Sequence, residues 1–185
     1  MTEGSRVTGG QLVRAFLFFI VFIVSIEPAS FAKPQDTACV VDKYGQYAAT
    51  QEQWQRDLTK LVLSVRPEYS EVANLYLVDQ LHRIELRRIA VEFMAWHAPE
   101  KLKLEGPLNQ WISLDALSEE EIAKADKRYS DLLRLTKQAH ERPSHPDGDA
   151  LRKIMREEVI HMPAYKALAE RFTASVAKIE GIACK

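Results

Sequence analysis

Glycine is scarce in this chain, with seven among 185 residues, and that scarcity leaves phosphate-cradling loops poorly supplied. No glycine-rich phosphate loop, G-x-S-x-G or H-E-x-x-H sequence occurs, so the motifs of nucleotide binding, hydrolase nucleophiles and zinc proteases are missing. There is no run of alternating β-branched residues, which removes a half-buried sheet from consideration. A charge excess of either sign is also lacking. Lys and Arg number 25 against 26 Asp and Glu, a formal net charge of −1, and such a balance gives no footing for nucleic acid or an anionic membrane surface. No internal repeat, low-complexity tract or N-x-S/T sequon is found, the last being compatible with a bacterial exported protein. No motif calls for a cofactor.

What is there begins with an N-terminal leader. Arg6 and Arg14 precede an apolar run from Ala15 to Val24, and "ASFA" follows, with Ser30 and Ala32 as the small residues before a cut. This is the layout of a secretory signal peptide over residues 1–32. The run falls short of the roughly 20 apolar residues that span a bilayer. The expectation is therefore export, to the periplasm or beyond, with a membrane touched only through an uncleaved leader. Residues 33–185 form the expected single domain, long enough to bury a core.

Both cysteines fall in that part, Cys39 near its start and Cys184 near its finish. The spacing excludes a CxxC redox pair, and two thiols are too few for a metal cluster. An exported chain with an even count pairs them most simply, and closing so long a loop stabilises by about 4 kcal/mol or more in the chain-entropy model.

The remaining pattern is helical. The first helix is expected from Thr37 or Ala38 to Val65, ended by Arg66 before Pro67, with Trp54, Leu58, Leu61 and Val65 as its buried side. The second starts at Pro67 and runs to Trp96 or His97. A long loop follows, from Pro99 to Leu117, expected to pack through Leu102, Leu104, Leu108 and Trp111. "SEEE" at 118–121 reads as a capping box, with Ser118 at the N-cap of a third helix that carries Ile122, Ala125, Tyr129, Leu132, Leu133 and Thr136 inward. After "ERPSHPDGD", Asp147 or Asp149 opens a fourth helix, kinked or split at Pro163 and resumed to Glu180, with Gly181 as C-cap. Four helices stacked up and down put the start of the first beside the end of the last, which brings Cys39 and Cys184 together. The fold class is thus an all-α, up-and-down bundle of about four long helices tied at its ends by a disulfide.

The second helix contains "LVDQLHRIELRRIAVEFMAWH", residues 77–97, whose polar groups fall on two stripes. Asp79, Gln80, Arg83 and Arg87 make one, read as solvent-facing surface. Glu85, Arg88 and Glu92 make the other, spaced so that each acid reaches the arginine between them. Apolar Val78, Leu81 and Trp96 flank or interrupt that second stripe, so it is the candidate lining of a polar pocket, since charges drawn inward must be paired. A second constellation is Glu158 with His161 in "REEVIHMP", the i, i+3 spacing of carboxylate-bridged dimetal bundles. Its other half is missing, because His82 with Glu85 is reversed and Glu92 with His97 is misspaced. His161 is read as a hydrogen-bonded residue at the Pro163 kink.

In plan the chain resembles the secreted, all-helical, disulfide-containing chorismate mutases. Over "HRIELRRIAVEF" the Arg-x-x-Leu pattern can be laid on that family's first active-site helix, but the lysine of the family falls at Met94. The resemblance is one of plan alone. It illustrates how Arg83, Arg87 and Arg88, turned inward, would meet a dicarboxylate. Three kinds of function stay open. The leading one is a non-catalytic binding module of inhibitor, immunity or chaperone type, meeting another protein through a patch around Trp111. The second is a small polar ligand or substrate held by Glu85, Arg88 and Glu92 together with Arg83 and Arg87. The third is a metal site at Glu158 and His161.

Overall fold

The computed structural model describes residues 36–184; the leader and its cut after Ala32 lie outside the described residues. Three of the helices start where an aspartate side chain accepts from a backbone amide, and a fourth starts at a proline. Asp36 accepts from the Cys39 amide at 3.1 Å and opens α1, Thr37–Val65. Arg66, forced extended ahead of Pro67, ends it. A single 3-10 turn, Pro67–Tyr69, reverses the chain into α2, Ser70–His97, which stops before Pro99. The first long helix matches the expected limits; the second ends as expected but starts three residues later, the turn from Pro67 being 3-10.

The third expected helix is two. Asp115, not Ser118, is its N-cap, accepting from the Ser118 amide at 2.8 Å and opening α3, Ala116–Ala125. Ser118 is instead a buried residue in the first turn, with its hydroxyl against Lys101 Nζ at 3.2 Å. Asp126 then takes an extended backbone and accepts from the amides of Arg128 and Tyr129, so it starts α4, Lys127–Glu141. An aspartate competes with the helix for local amides, and here the competition breaks the chain with no proline or glycine present. The fourth expected helix is also divided, as α5, Gly148–Glu157, a 3-10 turn at Val159–His161, and α6, Pro163–Glu180.

The described residues form an all-α bundle without strands. In it α1 packs on α2 and α6, while α2 also packs on α4 and, less extensively, on α5. Having neighbours on two sides spreads the apolar surface of α1. Val40, Tyr44, Tyr47, Ala48 and Val62 are its buried residues, and the expected Trp54, Leu58, Leu61 and Val65 are half-buried. Trp54 leans on α6, edge-on to Tyr165 and tilted against Phe172 at 5.2 Å. Of the residues expected inward from the third helix, Ile122 and Tyr129 are buried, and Ala125, at the end of α3, is exposed.

The loop after α2 closes one end of the bundle. Leu102, Leu108, Trp111 and Ile112 are buried in the main core beside Tyr44, Ile89 and Met94. Trp111 stacks on Tyr44 with ring centres 5.9 Å apart, and its Nε1 donates to the Gly106 carbonyl at 2.9 Å. At that end Cys39 and Cys184 are bonded, their Cα atoms 5.6 Å apart across 145 positions of sequence. Lys43, on the next turn of α1, donates to the carbonyls of Glu180 at 2.9 Å and Ile182 at 2.7 Å, satisfying acceptors that α6 leaves open where it ends. Gly181 caps α6 with a right-handed φ of −67°, so no left-handed turn is needed there.

Candidate functional site

The largest cleft of the described residues, about 590 Å³, runs along α2. Gln80, Arg83, Ile84, Arg87 and Ala90 supply that wall, and steps of three and four place them on one face of the helix. Gln51 comes from α1, held by its amide nitrogen donating to the Tyr47 hydroxyl at 3.0 Å. Ile112, Ser113 and Leu114 come from the loop, Glu119 from α3 and Tyr129 from α4. Five segments therefore converge on one concavity.

Its charges are unspent. Neither Arg83 nor Arg87 makes an ion pair with a described residue, whereas the neighbouring Arg142 and Arg152 are held by Asp79, at 2.5 Å, and by Asp149. Glu119 also lacks an ion-pair partner among the described residues, so it lies beyond 4.0 Å from both arginines of the cleft. Tyr129 is 1% exposed, and burial pushes its phenol up to about 12, with Glu119 adding to the rise. The same holds for Tyr44, raised to about 12 by burial and partly offset by the nearby Arg87 cation. Both phenols therefore keep their protons at neutral pH.

Chemically, the cleft offers two guanidinium groups from positions about 6 Å apart along the helix axis, apolar side chains and a carboxylate. A second cleft, of about 440 Å³, shares Gln80 and Arg83 and continues past His140, Arg142, His145 and Arg152.

The stripe singled out in sequence stands elsewhere. Arg88 donates two bonds of 2.7 Å to the Glu85 carboxylate and one of 3.1 Å to Glu92. The bonds to Glu85 hold its guanidinium proton more tightly than usual, with a smaller contribution from the Glu92 charge. The three side chains are 33%, 29% and 37% exposed in sequence order, and none of them lines the large cleft. Arg83 and Arg87, read as solvent-facing, are exposed as expected and also line the cleft.

Trp111 corrects a further expectation. At 3% exposure it belongs to the core and offers no face to a partner. Glu158 and His161 do not share an α-helix face, because α5 ends at Glu157, ahead of both. Glu158 pairs with Arg66 at 2.7 Å, His161 is exposed, and no cluster of potential metal ligands occurs among the described residues. No helix among the described residues is long and apolar enough to cross a membrane.

Glu119, Tyr129, Gln51 and Ser113 escaped the sequence reading. Glu119 reads there as one acid of a helix start and Tyr129 as a core residue, and no local signal joins them to α2. Neither a protein family, nor a curated protein, nor a solved structure matches this chain.

Proposed function

We propose that this protein is an exported binding protein for a small organic anion, with the anionic group held by Arg83 and Arg87. The observation that carries the reading is a pair of unpaired arginines one helical turn apart on the wall of the largest cleft. Like charges at i, i+4 repel by about 0.2 to 0.5 kcal/mol. Elsewhere the bundle supplies an acid to Arg66, Arg88, Arg142 and Arg152. Arg156 and Arg171 are likewise exposed without an ion pair among the described residues; what sets Arg83 and Arg87 apart is that both line one cleft at i, i+4, where a bound carboxylate or phosphate would remove their mutual repulsion. Gln51 and Gln80 add neutral hydrogen-bonding groups, and the buried apolar side chains suit an organic body. Export is supported by the leader and by a disulfide of the kind that persists in oxidising compartments.

Isothermal titration with benzoate tests the reading. Wild-type protein is expected to bind it at one site. Arg83→Gln and Arg87→Gln should each weaken binding about tenfold or more, with melting temperatures unchanged or slightly raised because neither side chain has a partner to lose. Variants that bind as tightly as wild type would remove the anion site.

The second reading, a module for a protein partner of inhibitor, immunity or chaperone type, moves from Trp111 to Trp96 and Leu117. These are 59% and 78% exposed, and large apolar side chains left in water are the raw material of interfaces.

A further inference from the structure

The two arginines account for only one side of the cleft. Glu119 lines the cleft too, as does Tyr129, whose hydroxyl makes no hydrogen bond to a described residue. Glu119 sits in the first turn of α3, but the capping work there is done by Asp115, which accepts from Ser118 and leaves the Glu119 carboxylate outside the cap. An acid and two cations share a concavity without meeting, since no guanidinium nitrogen comes within 4.0 Å of Glu119. Opposite charges held apart in this way form no direct ion pair. A ligand that spans the cleft meets both.

Resting on the anion site argued above, we infer that the ligand is an organic anion that carries a hydrogen-bond donor, a hydroxyl or an ammonium, at the end away from its anionic group. The anionic end lies on Arg83 and Arg87. The donor end gives its hydrogen to Glu119, and Tyr129 supplies a protonated phenol to the same region. The body between them packs on Ile84, Ile112 and Leu114. A plain apolar acid of the same length leaves Glu119 facing a group that cannot donate, and a site with an unmet polar group discriminates strongly against such an analogue.

Three probes of one skeleton decide it: benzoate, para-hydroxybenzoate and para-(aminomethyl)benzoate, titrated into wild type, Glu119→Gln, Glu119→Ala and Arg83→Gln. At least one donor-bearing probe is expected to bind wild type about tenfold more tightly than benzoate. That advantage should vanish in Glu119→Ala, with benzoate affinity kept or improved as a repelling charge leaves. Glu119→Gln separates the two donors, because an amide oxygen still accepts from a hydroxyl but no longer attracts an ammonium. Equal affinities for all three probes, with binding still dependent on Arg83, would overturn the donor inference and leave the anion site standing. Binding that ignores Arg83, or no binding of any probe, overturns both. Glu119 is half-exposed and unpaired, so its variants are expected to fold; unaltered circular dichroism separates lost recognition from lost structure.

Discussion

Tyr129 is buried to the ring while its hydroxyl reaches the cleft without a partner. Removing that oxygen costs the fold no hydrogen bond, so Tyr129→Phe should leave stability at pH 7 nearly unchanged. At high pH the two proteins should part. An unfolded tyrosine loses its proton near 10, whereas Tyr129 in the fold holds it to about 12. Above pH 10 the unfolded chain is thus the better acid, and wild-type stability falls between those values by roughly 2 to 3 kcal/mol for this group. Tyr129→Phe should lose about 1.4 kcal/mol less by pH 11, midway through that interval, as urea unfolding at pH 8 and pH 11 would record. The residue scale is also where the sequence misleads. A helical wheel shows that Arg83 and Arg87 share a face, and that Glu85, Arg88 and Glu92 share another. It does not show which face a neighbouring element roofs over. Here α4 and the loop through Ile112 to Leu114 rise beside the first face, so the stripe read as solvent-facing is exposed and also lines a cleft, and the one spaced to pair internally did so while half-buried.

At the scale of elements, limits set by proline were legible and those set by aspartate were not. Pro67 and Pro99 bracket α2, and their steric effect on the preceding residue is local and obligatory. Asp126 stands between two stretches of helical periodicity, and whether it caps or continues depends on the angle that α3 and α4 need to reach α2. Its carboxylate is held below the ordinary range, first by the Arg128 side chain and then by the amides of Arg128 and Tyr129. Asp126→Ala should therefore lower stability by about 1 kcal/mol at neutral pH. Because the cap needs the ionised acid, that difference is present above pH 4 and should shrink as pH falls below it. Chemical denaturation at pH 7 and pH 3 measures both values.

For the whole molecule, closure dominates. The disulfide and the Lys43 clamp fasten the start of α1 to the end of α6, and the thiol placement together with the helical pattern foretold the first of these ties. The loop packing was half foreseen: Leu102, Leu108 and Trp111 are buried as expected, yet the depth of Trp111 turns a presumed contact surface into core. Cys184→Ser should lower stability by about 4 to 5 kcal/mol, the entropy of an unfolded loop spanning 145 residues. Helical content at 25 °C should stay, because the covalent bond restricts the unfolded chain more than it shapes the native one. An unchanged melting temperature under oxidising conditions would count against that account.

Residues 39 and 184 are so near, 5.6 Å between Cα atoms, that the route of the chain through the bundle is close to a ring. A ring has no privileged beginning. The exposed joint between α4 and α5, Arg142 to Asp147, is a place where it could be opened, with a short peptide bridging the old ends in place of the sulfur bond. Such a permuted protein would keep α1 and α6 side by side and leave the large cleft lined by the same residues, so the order in which a gene spells these helices is separable from the shape they make.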